Sequence, residues 1–284
     1  MWDIATPSRP GRLPGVSMAG FREATTDLVD LRVVPYPAVT VVVDLGAGLL
    51  VVDDMTGCQQ QGSIVAGLAP GSMRGSGRDI ECLQVRLSPV VAHAVLGGAP
   101  ELGGAVVALD DLWGHDAART QEQLRAATSW DDRFDLAEEA LGRRFEAGHK
   151  VDPEVAEAWE QLVTTRGQVR VEELATEVGW SRKRLWSRFR SQVGLTPKRA
   201  AQLVRFDHAA HRLAAGHSPA QVAAEGGYAD QSHLHRDVVA FAGVTPTAVA
   251  AAPWLAVDDV AWGAEQVALR SDGGKDAGHD QRAD

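Results

Sequence analysis

The chain has 284 residues, room for about two domains, and its 28 Lys+Arg against 38 Asp+Glu leave a formal charge of -10. That balance excludes a uniformly basic, chromatin-like protein, and 45% hydrophobic with 23% charged residues excludes a wholly disordered one. Cys58 and Cys82 are too few for a disulfide framework, and neither a signal peptide in Met1–Pro14 nor a run of ~20 apolar residues is present. A soluble protein of the reducing cytoplasm, with no membrane partner, is expected.

The first hundred residues predict short strands separated by turns. Val39-Thr40-Val41-Val42-Val43 is β-branched, and Leu49-Leu50-Val51-Val52, Ile64-Val65 and Ile80 to Leu87 continue the pattern. Gly46-Ala47-Gly48, Pro70-Gly71 and Gly75-Ser76-Gly77 punctuate them, which points to an antiparallel sheet folded as a sandwich or barrel. A short helix from His93 to Leu96 ends at Gly97-Gly98. From Ala117 the spacing is helical, with Leu124 on one face. Phe134, Ala137, Leu141 and Phe145 then form an i, i+3, i+4 stripe, read as intramolecular packing before a dimer contact. Asp152-Pro153 opens the next helix, with Val155, Trp159, Leu162 and Val163 on its apolar side.

An internal repeat follows. Leu174-Ala175, Gly179 and Trp180 return 48 residues later as Val222-Ala223, Gly227 and Tyr228. Beyond that turn the offset is 49: Leu185 matches Leu234, Phe189 matches Val238, and Gly194-Leu195-Thr196-Pro197 matches Gly243-Val244-Thr245-Pro246. Each copy reads as a helix, a glycine-containing turn and a capped second helix, the grammar of a helix-turn-helix. Ser181 caps a helix that runs to about Val193, burying Leu185, Phe189 and Val193 and presenting Lys183, Ser187 and Arg190, with Trp186 on the flank. Asp230 caps its counterpart, which buries Leu234, Val238 and Phe241 and presents Gln231, Ser232, His235 and Arg236. A continuous helix, Arg199 to Ala215, joins the copies through Leu203, Phe206, Ala210 and Leu213. Gly216 ends it, and Ser218-Pro219 opens the next.

Charge supports the same reading. Residues 167–252 hold eleven Lys+Arg against seven Asp+Glu, a net of +4, so the rest of the chain carries -14. A basic segment inside an acidic chain is the footprint of a nucleic-acid-binding domain.

These blocks resemble the AraC family of bacterial transcription regulators. Glu172-Glu173-Leu174-Ala175, Gly179-Trp180-Ser181 and Leu185-Trp186-Ser187-Arg188-Phe189 are similar to its first motif, which Gly194-Leu195-Thr196-Pro197 closes. Val204 to Ala210 is similar to its linker helix. Gly227-Tyr228-Ala229-Asp230-Gln231-Ser232-His233-Leu234-His235-Arg236 is similar to its second motif. The resemblance covers about Gly167 to Ala252. Leu87-Ser88-Pro89, Leu96-Gly97-Gly98 and Leu109-Asp110-Asp111-Leu112-Trp113-Gly114 resemble a sensor domain carried by actinobacterial-type relatives.

The resemblance implies a sequence-specific DNA-binding regulator, with double-stranded promoter DNA, RNA polymerase, a small-molecule effector and a second copy of the chain as partners. Lys183, Trp186, Ser187, Arg190, Gln231, Ser232, His235 and Arg236 are the implied DNA contacts. One departure stands out: Asp237, Val238, Val239 and Ala240 follow Arg236, where the family has an aromatic and basic residues. The first recognition helix is therefore expected to dominate affinity and the second to refine specificity.

The expected architecture is α+β. Residues 1–125 form a strand-rich effector-sensing domain, 126–166 a helical connector that could serve dimerisation, and 167–252 an all-α domain with two helix-turn-helix motifs. Residues 253–284 form an acidic, disordered tail. No enzyme activity, cofactor or metal is expected. His93 and His115 are too few for a metal-binding cupin, His233 and His235 face apart, and His208 with His211 lacks a neighbouring carboxylate. A fusion to an alkyl-accepting repair enzyme would need an activated cysteine, whereas Cys58 and Cys82 read as core residues. The alternative is a regulator whose first domain only binds protein.

Overall fold

In a computed structural model of the chain, residues 2–23, 27–48, 50–53, 57–68, 71–97, 105–252, 258 and 260–262 are described. Ten strands lie among them: β1 (Trp2–Ala5), β2 (Val16–Glu23), β3 (Val29–Val33), β4 (Val39–Asp44), β5 (Val51–Asp53), β6 (Gln59–Gln61), β7 (Ile64–Ala66), β8 (Met73–Gly77), β9 (Glu81–Leu87) and β10 (Val106–Ala108). All pair antiparallel, in a six-stranded sheet of order β1-β2-β9-β4-β7-β10 and a four-stranded sheet of order β3-β8-β5-β6. The β-branched runs chosen from the sequence become β4, β5, β7 and β9. Leu49 and Gly98 lie outside the described residues.

Alternation along β4 and β9 sets the layering, because successive side chains on a strand point to opposite faces. Val39, Val41 and Val43 of β4, with Leu83, Val85 and Leu87 of β9, join a core built with the helices. Val42 and Cys82 face the other way, into a second core shared with the four-stranded sheet. The six-stranded sheet is thus the middle layer of three. Cys82 is a core residue, and burial pushes its thiol up to about 12. Cys58 is exposed, contrary to the expectation that both cysteines are internal, because it directly precedes the polar strand β6.

Eleven helices occur among the described residues. α1 (Pro89–Val95) starts four residues before the expected His93, because Ser88 Oγ accepts from the Val91 N–H and Pro89 suits the first turn. α2 (Leu109–Trp113), α3 (His115–Ala126) and α4 (Trp130–Ala147) follow. Phe134, Ala137 and Leu141 of α4 are buried, and α4 packs on α1 and α3, so this stripe is satisfied within the chain. α5 (Pro153–Thr164) turns instead toward α6 (Val171–Glu177), α7 (Arg182–Val193) and α8 (Pro197–Ala214), burying Val155, Trp159 and Leu162. α8 begins two residues before the expected Arg199, capped by Thr196 Oγ1. α9 (Pro219–Glu225), α10 (Gln231–Ala242) and α11 (Pro246–Ala250) complete the second copy of the repeat.

Within the stretch read as a disordered tail, Asp258, Ala261 and Trp262 are buried. Trp262 and Ala261 join the core between the two sheets. Their apolar surface gives a reason to dock that overall acidity conceals. Val260 is exposed, and the remainder of that tail, Ser271–Asp284 included, lies outside the described residues. No described helix is long and apolar enough to cross a membrane.

Candidate nucleic-acid interface

The two halves of the repeat fold alike. α7 and α10 are each twelve residues long, and their caps are equivalent. Ser181 Oγ accepts from the Arg184 N–H, and Asp230 Oδ1 accepts from the His233 N–H at 2.7 Å. Each helix ends on a glycine in the left-handed region, Gly194 at φ 86° and Gly243 at φ 68°, a conformation only glycine adopts without strain.

The inner faces are as expected. Leu185, Phe189 and Val193 are buried on α7, with Phe189 tilted against Trp159 of α5 at 6.5 Å between ring centroids. Leu234, Val238 and Phe241 are buried on α10, and Phe241 stacks on Phe206 of α8 at 5.0 Å. α8 packs behind both second helices, and α5 behind α7 as well.

The outer faces carry the residues singled out from the sequence. Lys183, Trp186, Ser187 and Arg190 on α7, and Gln231, Ser232, His235 and Arg236 on α10, are all exposed. Trp186 is 46% exposed, unusual for so large an apolar ring, and the Arg190 guanidinium lies 5.3 Å above it. Among the described residues Lys183, Arg190 and Arg236 enter no ion pair, so their charges face solvent.

The other basic residues of α7 are committed internally, which the linear sequence did not reveal. Arg182 pairs with Glu172 of α6 at 2.9 Å, and Arg184 lies 4.3 Å from the Trp180 ring centroid. Arg188 makes a two-pronged contact with Asp152 at the start of α5, at 2.7 and 2.8 Å, and holds that carboxyl below its usual range. α7 is thus tied to α6 and α5 by ion pairs at the surface.

Asp237 is the main surprise. In the sequence it follows Arg236, where the family has an aromatic and basic residues. It is buried on the inner face of α10 and pairs with Arg205 of α8 at 3.3 Å. Asp237 lies three residues after Leu234 and four before Phe241, so helical spacing alone could have placed it on their face. His233 also serves the turn: its Nδ1 accepts from the Ala229 N–H, and its ring meets Tyr228 edge-on at 5.3 Å.

His211 corrects a further expectation. It is expected to lack a carboxylate neighbour, yet its Nε2 lies 3.2 Å from Asp258 and its Nδ1 3.6 Å from Asp207. Burial works against the charged imidazole, but these carboxylates outweigh it and raise its pKa to about 9. No group of three or more potential metal ligands occurs among the described residues.

The strand-rich part of the chain holds a cavity as well. A cavity of about 160 Å³ remains between the two sheets, with Phe21, Val42, Val52, Ile64, Met73 and Arg86 in its lining.

The helix-turn-helix domain family matches residues 174–252, which span both turns and both outward helices. Residues 174–252 are an AraC-type helix-turn-helix domain. Domains of this type bind DNA in transcription regulators. No curated protein matches the chain. Among solved structures, the chain is similar to ToxT from Vibrio cholerae, at 13% identity over 82% of this chain and 97% of that one, with a TM-score of 0.48. ToxT with bound unsaturated fatty acid gives 10% identity, 84% and 95% coverage and a TM-score of 0.47. The AraC-like transcriptional activator CuxR gives 18% identity, 82% and 90% coverage and a TM-score of 0.24.

Proposed function

We propose that the chain regulates transcription by reading promoter DNA with two helices of its AraC-type domain. Lys183, Trp186, Ser187 and Arg190 on α7 meet one stretch of major groove, and Gln231, Ser232, His235 and Arg236 on α10 meet the next. The observation that carries this reading is the pair of equally capped, twelve-residue helices with polar and basic outer faces. Arg and Gln pair with base edges, while Lys183 and Arg190 suit phosphate. The activity is binding without covalent chemistry, and the bound protein recruits or blocks RNA polymerase.

The sensor layer supports a second element, a small organic effector held between the sheets. Such a ligand acts only through unequal affinity for the DNA-competent and DNA-incompetent states. Genome-wide mapping of binding sites, followed by titration of the full chain against a mapped site and a scrambled duplex, tests the DNA reading. Equal affinity for the two duplexes would overturn it. A thermal-shift screen of the full chain tests the effector, since a ligand of the folded state raises its melting point.

A further inference from the structure

Two residues that follow the DNA-binding domain, Asp258 and Trp262, line the cavity. Arg86 projects from β9 with its guanidinium between two aromatic faces, 3.7 Å from the Tyr36 ring centroid and 4.1 Å from that of Trp262. Asp258 pairs with the same guanidinium, 172 residues away in sequence, and is 3% exposed. The Tyr36 hydroxyl donates to this carboxylate as well. Burial alone would raise the carboxyl of Asp258, but Arg86, His211 and Tyr36 hold it below its usual range. A carboxylate on the guanidinium edge with a flat ring on its face is how a protein holds an aromatic acid.

We infer that Arg86 is the anion site of the sensor cavity, that Asp258 and Trp262 occupy it as a built-in competitor, and that an organic monocarboxylate with a flat apolar body displaces them. This rests on the effector reading above and names the ligand class. Three observations carry it. First, a buried guanidinium needs a counter-charge, and breaking its pair without replacement costs several kcal/mol. Exchange of one carboxylate for another avoids that penalty, so an acid can enter where a neutral molecule cannot.

Second, the space left beside these two residues is apolar. Val42, Val52, Ile64 and Met73 line about 160 Å³ that Trp262 does not fill, about the size of a cavity that takes benzene. Withdrawal of the indole enlarges it toward the ~300 Å³ and above of small-molecule sites. A free acid can use that surface and these two residues do not, which supplies a difference in affinity. Third, the displaced carboxylate also holds His211 on α8, the helix that joins the two DNA-reading units. Ligand entry therefore releases a contact between sensor and DNA-binding domain.

The probe is indole-3-butyrate, which combines the carboxylate of Asp258 and the ring of Trp262, with its neutral amide as control. Calorimetric titrations compare the wild-type chain, the Asp258→Asn, Trp262→Ala double variant, and that variant with Arg86→Gln added. A tethered competitor acts at an effective concentration of ~mM, so the double variant should bind the acid at least about tenfold more tightly than the wild type. Adding Arg86→Gln, or replacing the acid by the amide, should remove that gain. If the double variant is unfolded alone, the acid but not the amide should restore its cooperative melting. Equal binding by wild type and double variant, indifference to Arg86→Gln, equal binding of acid and amide, or no binding and no rescue would each overturn the inference. Neutral compounds that raise the melting point of wild type and Arg86→Gln alike would also overturn it, while leaving the effector reading standing.

Discussion

Asp237 offers the sharpest separation between the linear sequence and the folded chain. Taken as a surface charge on a DNA-reading helix, its removal should tighten binding to DNA. Taken as the buried partner of Arg205, its removal should damage the fold. The two side chains are 12% and 15% exposed, and the ion pair spans 3.3 Å between α10 and α8. Asp237→Ala strands the guanidinium, at a typical cost of about 3–5 kcal/mol. Arg205 also lies 4.9 Å from the Tyr228 ring centroid, which offsets part of the loss and favours the lower end of that range. For a chain of this size about 3 kcal/mol corresponds to a fall of ~6–12 °C in melting temperature. Thermal unfolding of the full chain followed by circular dichroism measures it. Replacing both partners with apolar residues, Arg205→Met with Asp237→Leu, should recover most of the loss, because no charge is then left buried. An unchanged melting temperature together with tighter DNA binding in Asp237→Ala would place the carboxylate on the DNA side and refute the packing described above.

Lys183→Ala combined with Arg190→Ala should weaken binding to specific and random duplexes alike and reduce the salt slope by roughly 1.8, about 0.9 per lost phosphate contact; anisotropy titrations at several salt concentrations check this. Arg236→Ala should lose about 1–3 kcal/mol on the mapped site and little on a scrambled duplex, and equal losses on both would make it a phosphate clamp. Because the folded-state pKa of His211 is raised to about 9, its contribution to stability is fully present below its unfolded value near 6.5 and is lost as pH rises through about 9. Urea midpoints across that window should fall for the wild type more steeply than for His211→Gln, and parallel profiles would show that the imidazole carries no such linkage.

The repeat made the helix-turn-helix domain legible because its signals are local. Ser181 and Asp230 as caps, Gly194 and Gly243 as helix ends, and the 3.6-residue spacing of Leu185, Phe189 and Val193 each depend on neighbours a few positions away. The strands β4, β7 and β9 were legible for the same reason, through β-branched runs. β6 is three glutamines and β8 is rich in glycine and serine, so pairing rather than propensity makes them strands. Long-range partnerships were invisible. Nothing near Asp237 in sequence announces Arg205, nothing near Arg188 announces Asp152, and Arg86 and Asp258 meet only once both sheets and α8 are in place. The basic count of the segment was correct as arithmetic, yet Arg182, Arg188, Arg205 and Arg212 are each paired with a carboxylate of the chain, whereas Lys183, Arg190 and Arg236 are exposed without an ion pair among the described residues.

The claim that two helices read successive grooves is tested most directly by hydroxyl-radical footprinting of the full chain on duplexes enriched from a random library. The account predicts two protected blocks on one face of the DNA, about 10 bp apart centre to centre. Arg236→Ala should weaken protection and sequence preference in one block only. A single protected block, or two blocks that Arg236→Ala leaves equally intact, would contradict it.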